Sequence, residues 1–81
     1  MSDEHTKFRG RLAVKEDALA KLKIKIAVRR DSLRDNLDPF VDVAELPGEI
    51  IASEAVELGE LLIQLRCLLD EIRAIKKALG R

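Results

Sequence analysis

The chain has 81 residues, of which 47% are hydrophobic, 37% are charged and only 2% are aromatic. This length permits a single domain, residues 1–81, and the abundance of Ala, Leu, Ile, Glu, Lys and Arg is typical of long helices rather than of sheets or disordered chains. Fifteen basic and fifteen acidic residues cancel, which argues against binding nucleic acid through net charge alone.

The charges nevertheless fall into blocks along the chain. Residues 1–34 hold ten Lys and Arg against five Asp and Glu, whereas residues 35–60 hold eight acids and no base. Residues 61–81 hold five bases and two acids. We expect the basic block of one helix to face the acidic block of another, either within one chain or between chains.

The first predicted helix covers about residues 3–36. Its heptad position a is uniformly apolar, whereas position d is interrupted by polar residues, which is typical of a bundle helix rather than a regular zipper. The segment 22–28 begins with strand-like alternation, but we predict helix there because no partner strand exists elsewhere in the chain. The a series is Leu12, Leu19, Ile26 and Leu33, and the d series is Phe8, Lys15, Leu22, Arg29 and Asn36.

The predicted connector covers residues 37–47. Asp38 and Pro39 are suited to the N-cap and first position of a short helix that would run to about Val43 or Ala44. Three apolar residues of this connector are expected to fold back and plug the end of the bundle: Phe40, Val41 and Leu46.

The second predicted helix covers residues 48–79, with Gly80 as its C-terminal stop. Its apolar positions recur with clean heptad spacing and spread beyond positions a and d, and only Glu54 interrupts the d series. We predict that an oligomer interface is formed by Leu58, Leu61, Leu62, Leu65, Leu68, Leu69, Ile72 and Ile75.

The apolar surface of the second helix exceeds what one neighbouring helix can cover. Leaving three leucines in water would forgo burial on the order of 5 kcal/mol, comparable with the stability of a small domain. We therefore predict an all-α fold, a two-helix antiparallel hairpin that assembles as a four-helix bundle or coiled-coil dimer. Its partner would be a second copy or another helical protein. Gly59, with Ala52 and Ala55, either permits close helix approach or is merely tolerated.

Nothing in the sequence indicates an enzyme, a metal site or a cofactor. The single histidine, His5, lies close to the chain start. Cys67 follows Arg66 but has no histidine near it to act as a general base, so we expect that cysteine to be a half-buried apolar residue. Glu54, Glu57 and Glu60 lack the Glu-x-x-His motif of di-iron bundles and are expected to form a solvated acidic face.

The sequence therefore favours a non-enzymatic, oligomeric protein-interaction or scaffold module. The alternative is a nucleic-acid-binding hairpin dimer in which Lys21, Lys25 and Arg29, spaced four residues apart, contact phosphates. The chain shows no signal-peptide pattern and no apolar run of the roughly 20 residues that a membrane span needs. With a lone free thiol, these features predict a cytoplasmic protein that does not engage a membrane.

Overall fold

The structure, a computed structural model, describes residues 2–80, and its two long helices pack side by side in one rod. Helix α1 covers Ser2–Asn36 and helix α2 covers Gly48–Ala78, with a short 3-10 helix at Val43–Glu45 between them. The rod measures 63 × 16 × 15 Å, so it is one helix pair in cross-section. Residues 2–80 contain no strand, which confirms the prediction of an all-helical chain with two packed helices, including helix at residues 22–28.

Ion pairs between the two helices establish the antiparallel register. Lys15 of α1 pairs with Glu71 of α2, and Arg29 of α1 pairs with Glu57 of α2, the latter at 3.0 Å between Nε and Oε2. Moving fourteen residues forward along α1 therefore moves the partner fourteen residues backward along α2. The start of α1 lies beside the end of α2, and the connector closes the opposite end.

The buried core is small and lies toward the open end of the hairpin. Leu12 of α1 and Ile72 and Ile75 of α2 are the buried hydrophobic residues of the described chain, exposed by 4%, 5% and 8%. Two helices share one line of contact, so a single seam is all that they can bury. Four partly buried residues pack against this core: Phe8, Leu19, Leu68 and Leu79.

The connector differs from its sequence-based prediction. The helical turn begins at Val43 and not at Pro39, because Asp42 caps it by accepting a hydrogen bond from the Ala44 amide at 3.0 Å. Asp38 instead accepts from the Phe40 amide at 2.9 Å, which makes a local turn.

The expected apolar plug is wrong for two of its three residues. Phe40 is 95% exposed and Val41 is also exposed, while Leu46 is half-buried. The physical reason is geometric, since the end of a two-helix rod has no interior for a phenyl ring to enter.

Helix α2 ends at Ala78, one residue before its predicted end, and a glycine terminates it as the sequence indicates. Gly80 has a φ of +78°, a left-handed conformation that glycine adopts without steric cost, and its amide donates to the Lys77 carbonyl at 3.1 Å. The predicted glycine stop is thus confirmed.

Candidate oligomer interface

The predicted interface residues divide into three groups in the structure. Ile72 and Ile75 are buried against α1, within the seam of a single hairpin. Leu62 and Leu69 are exposed, by 44% and 36%. The remaining four share the seam-facing positions of α2 and are half-buried: Leu58, Leu61, Leu65 and Leu68. Their role in an oligomer stays a prediction, but only the exposed group offers a surface that α1 leaves uncovered.

The exposed group belongs to a wider apolar surface, which we call the α2 outer face. Its residues follow one another at spacings of three and four, so they share one side of the helix. Val56 and Ile63 are its most exposed large residues, at 61% and 63%. Arg66 interrupts it after Ile63. The α2 outer face consists of Ala52, Ala55, Val56, Gly59, Leu62, Ile63 and Leu69.

Val56 and Ile63 are missing from the predicted interface because they occupy heptad position f, opposite the seam between the helices. A heptad assignment directs attention to positions a and d. The signal that identifies these two residues is the second apolar stripe, which continues through Ala52, Gly59 and Leu62 at helical spacing.

The whole rod exposes more surface than a compact protein of its mass. Its accessible surface is 6382 Å² for 9.1 kDa, whereas a typical folded monomer of that mass exposes about 4,900 Å². The excess of roughly 1,500 Å² per chain lies within the range that each subunit of an obligate dimer buries.

Polar residues close the seam near the connector. The Ser32 hydroxyl donates to Oε1 of Glu54 at 2.8 Å, and Nδ2 of Asn36 donates to Oε2 of the same carboxylate at 3.2 Å. Glu57 pairs with Arg29 but its side chain is still 46% exposed, and Glu60 is exposed. The expectation of a solvated acidic face is wrong for Glu54, because α1 supplies two hydrogen-bond donors opposite it.

The predicted phosphate-contacting residues line two neighbouring open grooves. Lys25 and Arg29 line one of about 510 Å³, and Lys21 and Lys25 line another of about 370 Å³. Lys21 pairs with Asp17 at 2.9 Å, and Arg29 pairs with Glu57 at 3.0 Å. Lys25 lies between them on the wall of both grooves. Glu57 also lines the larger groove, so carboxylates neutralise much of the positive charge there.

Two further basic residues of α1 have partners within the hairpin, and the cysteine lies apart from them. Arg11 lies over the Phe8 ring at 5.7 Å, and Lys15 is engaged with Glu71. Cys67 is exposed, which corrects the expectation of half-burial. Its heptad position c points away from the seam. Across residues 2–80 no cluster of three or more His, Cys, Asp or Glu could hold a metal ion.

Comparison with known proteins adds no function. The chain matches no protein-family model, no curated protein sequence and no solved structure. Among the described helices, neither α1 nor α2 has a stretch sufficiently long and apolar to traverse a bilayer.

Proposed function

We propose that this chain is a non-enzymatic interaction or scaffold module that associates with a second copy of itself through the α2 outer face. Two hairpins would then form a four-helix assembly, with the two α2 helices in contact at its centre and one α1 helix on each outer side. The observation that carries the proposal is the exposure of Val56, Leu62 and Ile63 on one side of a well-formed helix. Contiguous exposed apolar surface of this kind is typical of protein interaction sites.

The placement of the reactive side chains supports a non-catalytic role. Nucleophilic catalysis needs a base within hydrogen-bonding reach of the nucleophile. The antiparallel register sets Cys67 of α2 opposite Leu19 of α1, fourteen residues from His5. Fourteen helical residues correspond to about 21 Å along the rod, so the thiol and the imidazole cannot cooperate within one chain.

The proposal is tested by placing a charge on the α2 outer face and on a matched position elsewhere. Ile63→Glu changes the proposed interface, and Ile24→Glu changes an α1 residue of nearly equal exposure, 66% against 63%. Burying an unpaired carboxylate at an interface costs at least about 2 kcal/mol, so we expect Ile63→Glu to weaken dimerisation by about 30-fold or more.

Sedimentation velocity over a dilution series measures this effect, with helicity by circular dichroism as the folding control. Ile24→Glu should dimerise as the unmodified chain does. Equal dimerisation of both variants, with helicity retained, would remove the α2 outer face as the interface.

The structure gives the nucleic-acid alternative no specific support. Two of its three candidate cations already have carboxylate partners, and Phe40, which is highly exposed, lies in the acidic connector. Binding measured across a salt series tests that alternative directly. Binding that weakens steeply with salt, and that is lost when Lys21, Lys25 and Arg29 are changed to Glu, would establish it.

A further inference from the structure

We propose that the two copies meet α2 against α2 in antiparallel orientation, across a two-fold axis close to Leu62 and Ile63. This inference rests on the proposed self-association and adds its geometry. It follows from the order of side-chain sizes along the α2 outer face, from the charges that flank that face and from the distribution of charge along the rod.

Small residues predominate in the first half of the α2 outer face and large residues in the second half. The first half holds Ala52, Ala55 and Gly59 beside Val56, and the second half holds Leu62, Ile63 and Leu69. A parallel pair would set the three small residues against one another, leaving voids, and the three large residues against one another, forcing the helices apart. An antiparallel pair sets the half that is rich in large residues against the half that is rich in small ones.

The register that sets Leu62 level with Ile63 of the second copy centres the two-fold axis on α2, Gly48–Ala78. It places Leu69 beside Ala55 of the other copy. It also places Arg66 over Gly59, where the absence of a side chain leaves room for the aliphatic stem of arginine. A Cβ built on Gly59 meets no other atom within 4 Å in the single hairpin, so nothing within one chain requires glycine there. In the proposed dimer, the Arg66 stem of the second copy occupies the space that a larger side chain at position 59 would fill.

Charges on α2 favour the same orientation. Its first half carries four acids and no base, and its second half carries four bases and two acids. In the antiparallel register the acidic first half of each α2 lies along the more basic second half of the other α2. The dipoles of the two α2 helices oppose each other in an antiparallel pair, which also favours this orientation.

The two halves of the whole rod also carry opposite net charges, negative next to the connector and positive at the open end. The half next to the connector, residues 21–60, holds nine acids and six bases. The open half, residues 1–20 and 61–81, holds six acids and nine bases. Antiparallel hairpins bring opposite net charges together at both ends, whereas parallel hairpins bring like charges together.

Spin-label distances between two chains distinguish the orientations. On a Cys67→Ala background, single labels are placed at Val43→Cys in the connector and at Lys77→Cys near the end of α2, both exposed positions. With the axis near Leu62 and Ile63, an antiparallel dimer separates two Val43 labels by at least about 40 Å at 1.5 Å per residue. A mixture of the two labelled chains should also give a short distance, below about 25 Å.

The outcomes separate the orientation from the association itself. Long Val43–Val43 distances together with a short Val43–Lys77 distance between chains support the antiparallel dimer. Short Val43–Val43 distances in a protein of dimeric mass overturn the orientation and leave self-association intact. A labelled protein with the mass of one chain and no coupling between chains overturns both.

Discussion

Asn36 of α1 donates a hydrogen bond to Glu54 of α2, with 3.2 Å between Nδ2 and Oε2. Both residues occupy heptad position d, where an apolar side chain would be the ordinary occupant. A polar pair in a seam is satisfied in one alignment only, so it opposes any sliding of α1 along α2. With Ser32, which donates to the other carboxylate oxygen, the pair fixes the register next to the connector.

Glu54→Ala is expected to destabilise the hairpin by about 1–3 kcal/mol, because Ser32 and Asn36 lose their acceptor in a partly buried setting. Glu60→Ala, at an exposed position on the same helix, should change stability by less than about 0.5 kcal/mol. Urea unfolding at one fixed protein concentration measures both. Equal effects of the two substitutions would show that the Glu54 hydrogen bonds contribute nothing.

The ion pair between Lys15 and Glu71 should behave as a coupled unit. Lys15→Glu alone places two carboxylates together, and Glu71→Lys alone places two ammonium groups together, so each should destabilise the fold. The double exchange restores an attractive pair. A double-mutant cycle is expected to give a coupling energy of about 0.2–1 kcal/mol, since both side chains are well exposed. Additive effects of the two changes would contradict the contact.

Leu12→Ala should be the most damaging of the single truncations on α1. Leu12 is 4% exposed against Ile72 and Ile75, and such truncations cost about 2–5 kcal/mol. Val14→Ala removes a side chain that is 68% exposed and should cost less than about 0.5 kcal/mol. Thermal unfolding measures the stability of both variants. A similar loss of stability for Leu12→Ala and Val14→Ala would show that Leu12 is not part of the core.

Phe40→Ser should leave the stability of the hairpin within about 0.5 kcal/mol of its original value, because the ring is 95% exposed. Leu46→Ala, at a half-buried position of the same connector, should cost more. Chemical unfolding of the two variants provides the comparison. A loss above about 2 kcal/mol for Phe40→Ser would indicate that the ring does plug the bundle end.

The sequence was sufficient for the helices because their signals are local. The recurrence of Leu12, Leu19 and Ile26 at seven-residue intervals, and Gly80 at the end of α2, are properties of short segments. The partners of Lys15 and Arg29 were not predictable in this way. Which acid each one meets depends on the relative register of two helices, and the connector and the seam set that register together.

Phe40 of the connector and Glu54 of the seam differ from what the sequence predicts. Phe40 was expected to be buried because apolar residues usually are, but burial requires a cavity and a helix pair encloses none. The sequence predicts a solvated carboxylate at Glu54, but in the folded hairpin Ser32 and Asn36 lie opposite it and donate hydrogen bonds to it. Both errors concern long-range packing, which residue type and spacing do not encode.

The molar mass of the unmodified chain in solution tests the central claim most directly. Light scattering on a size-exclusion column, over a dilution series, should give twice the 9.1 kDa of one chain at high concentration, falling toward one chain on dilution. A mass of one chain at every concentration, with full helicity, would contradict self-association through the α2 outer face.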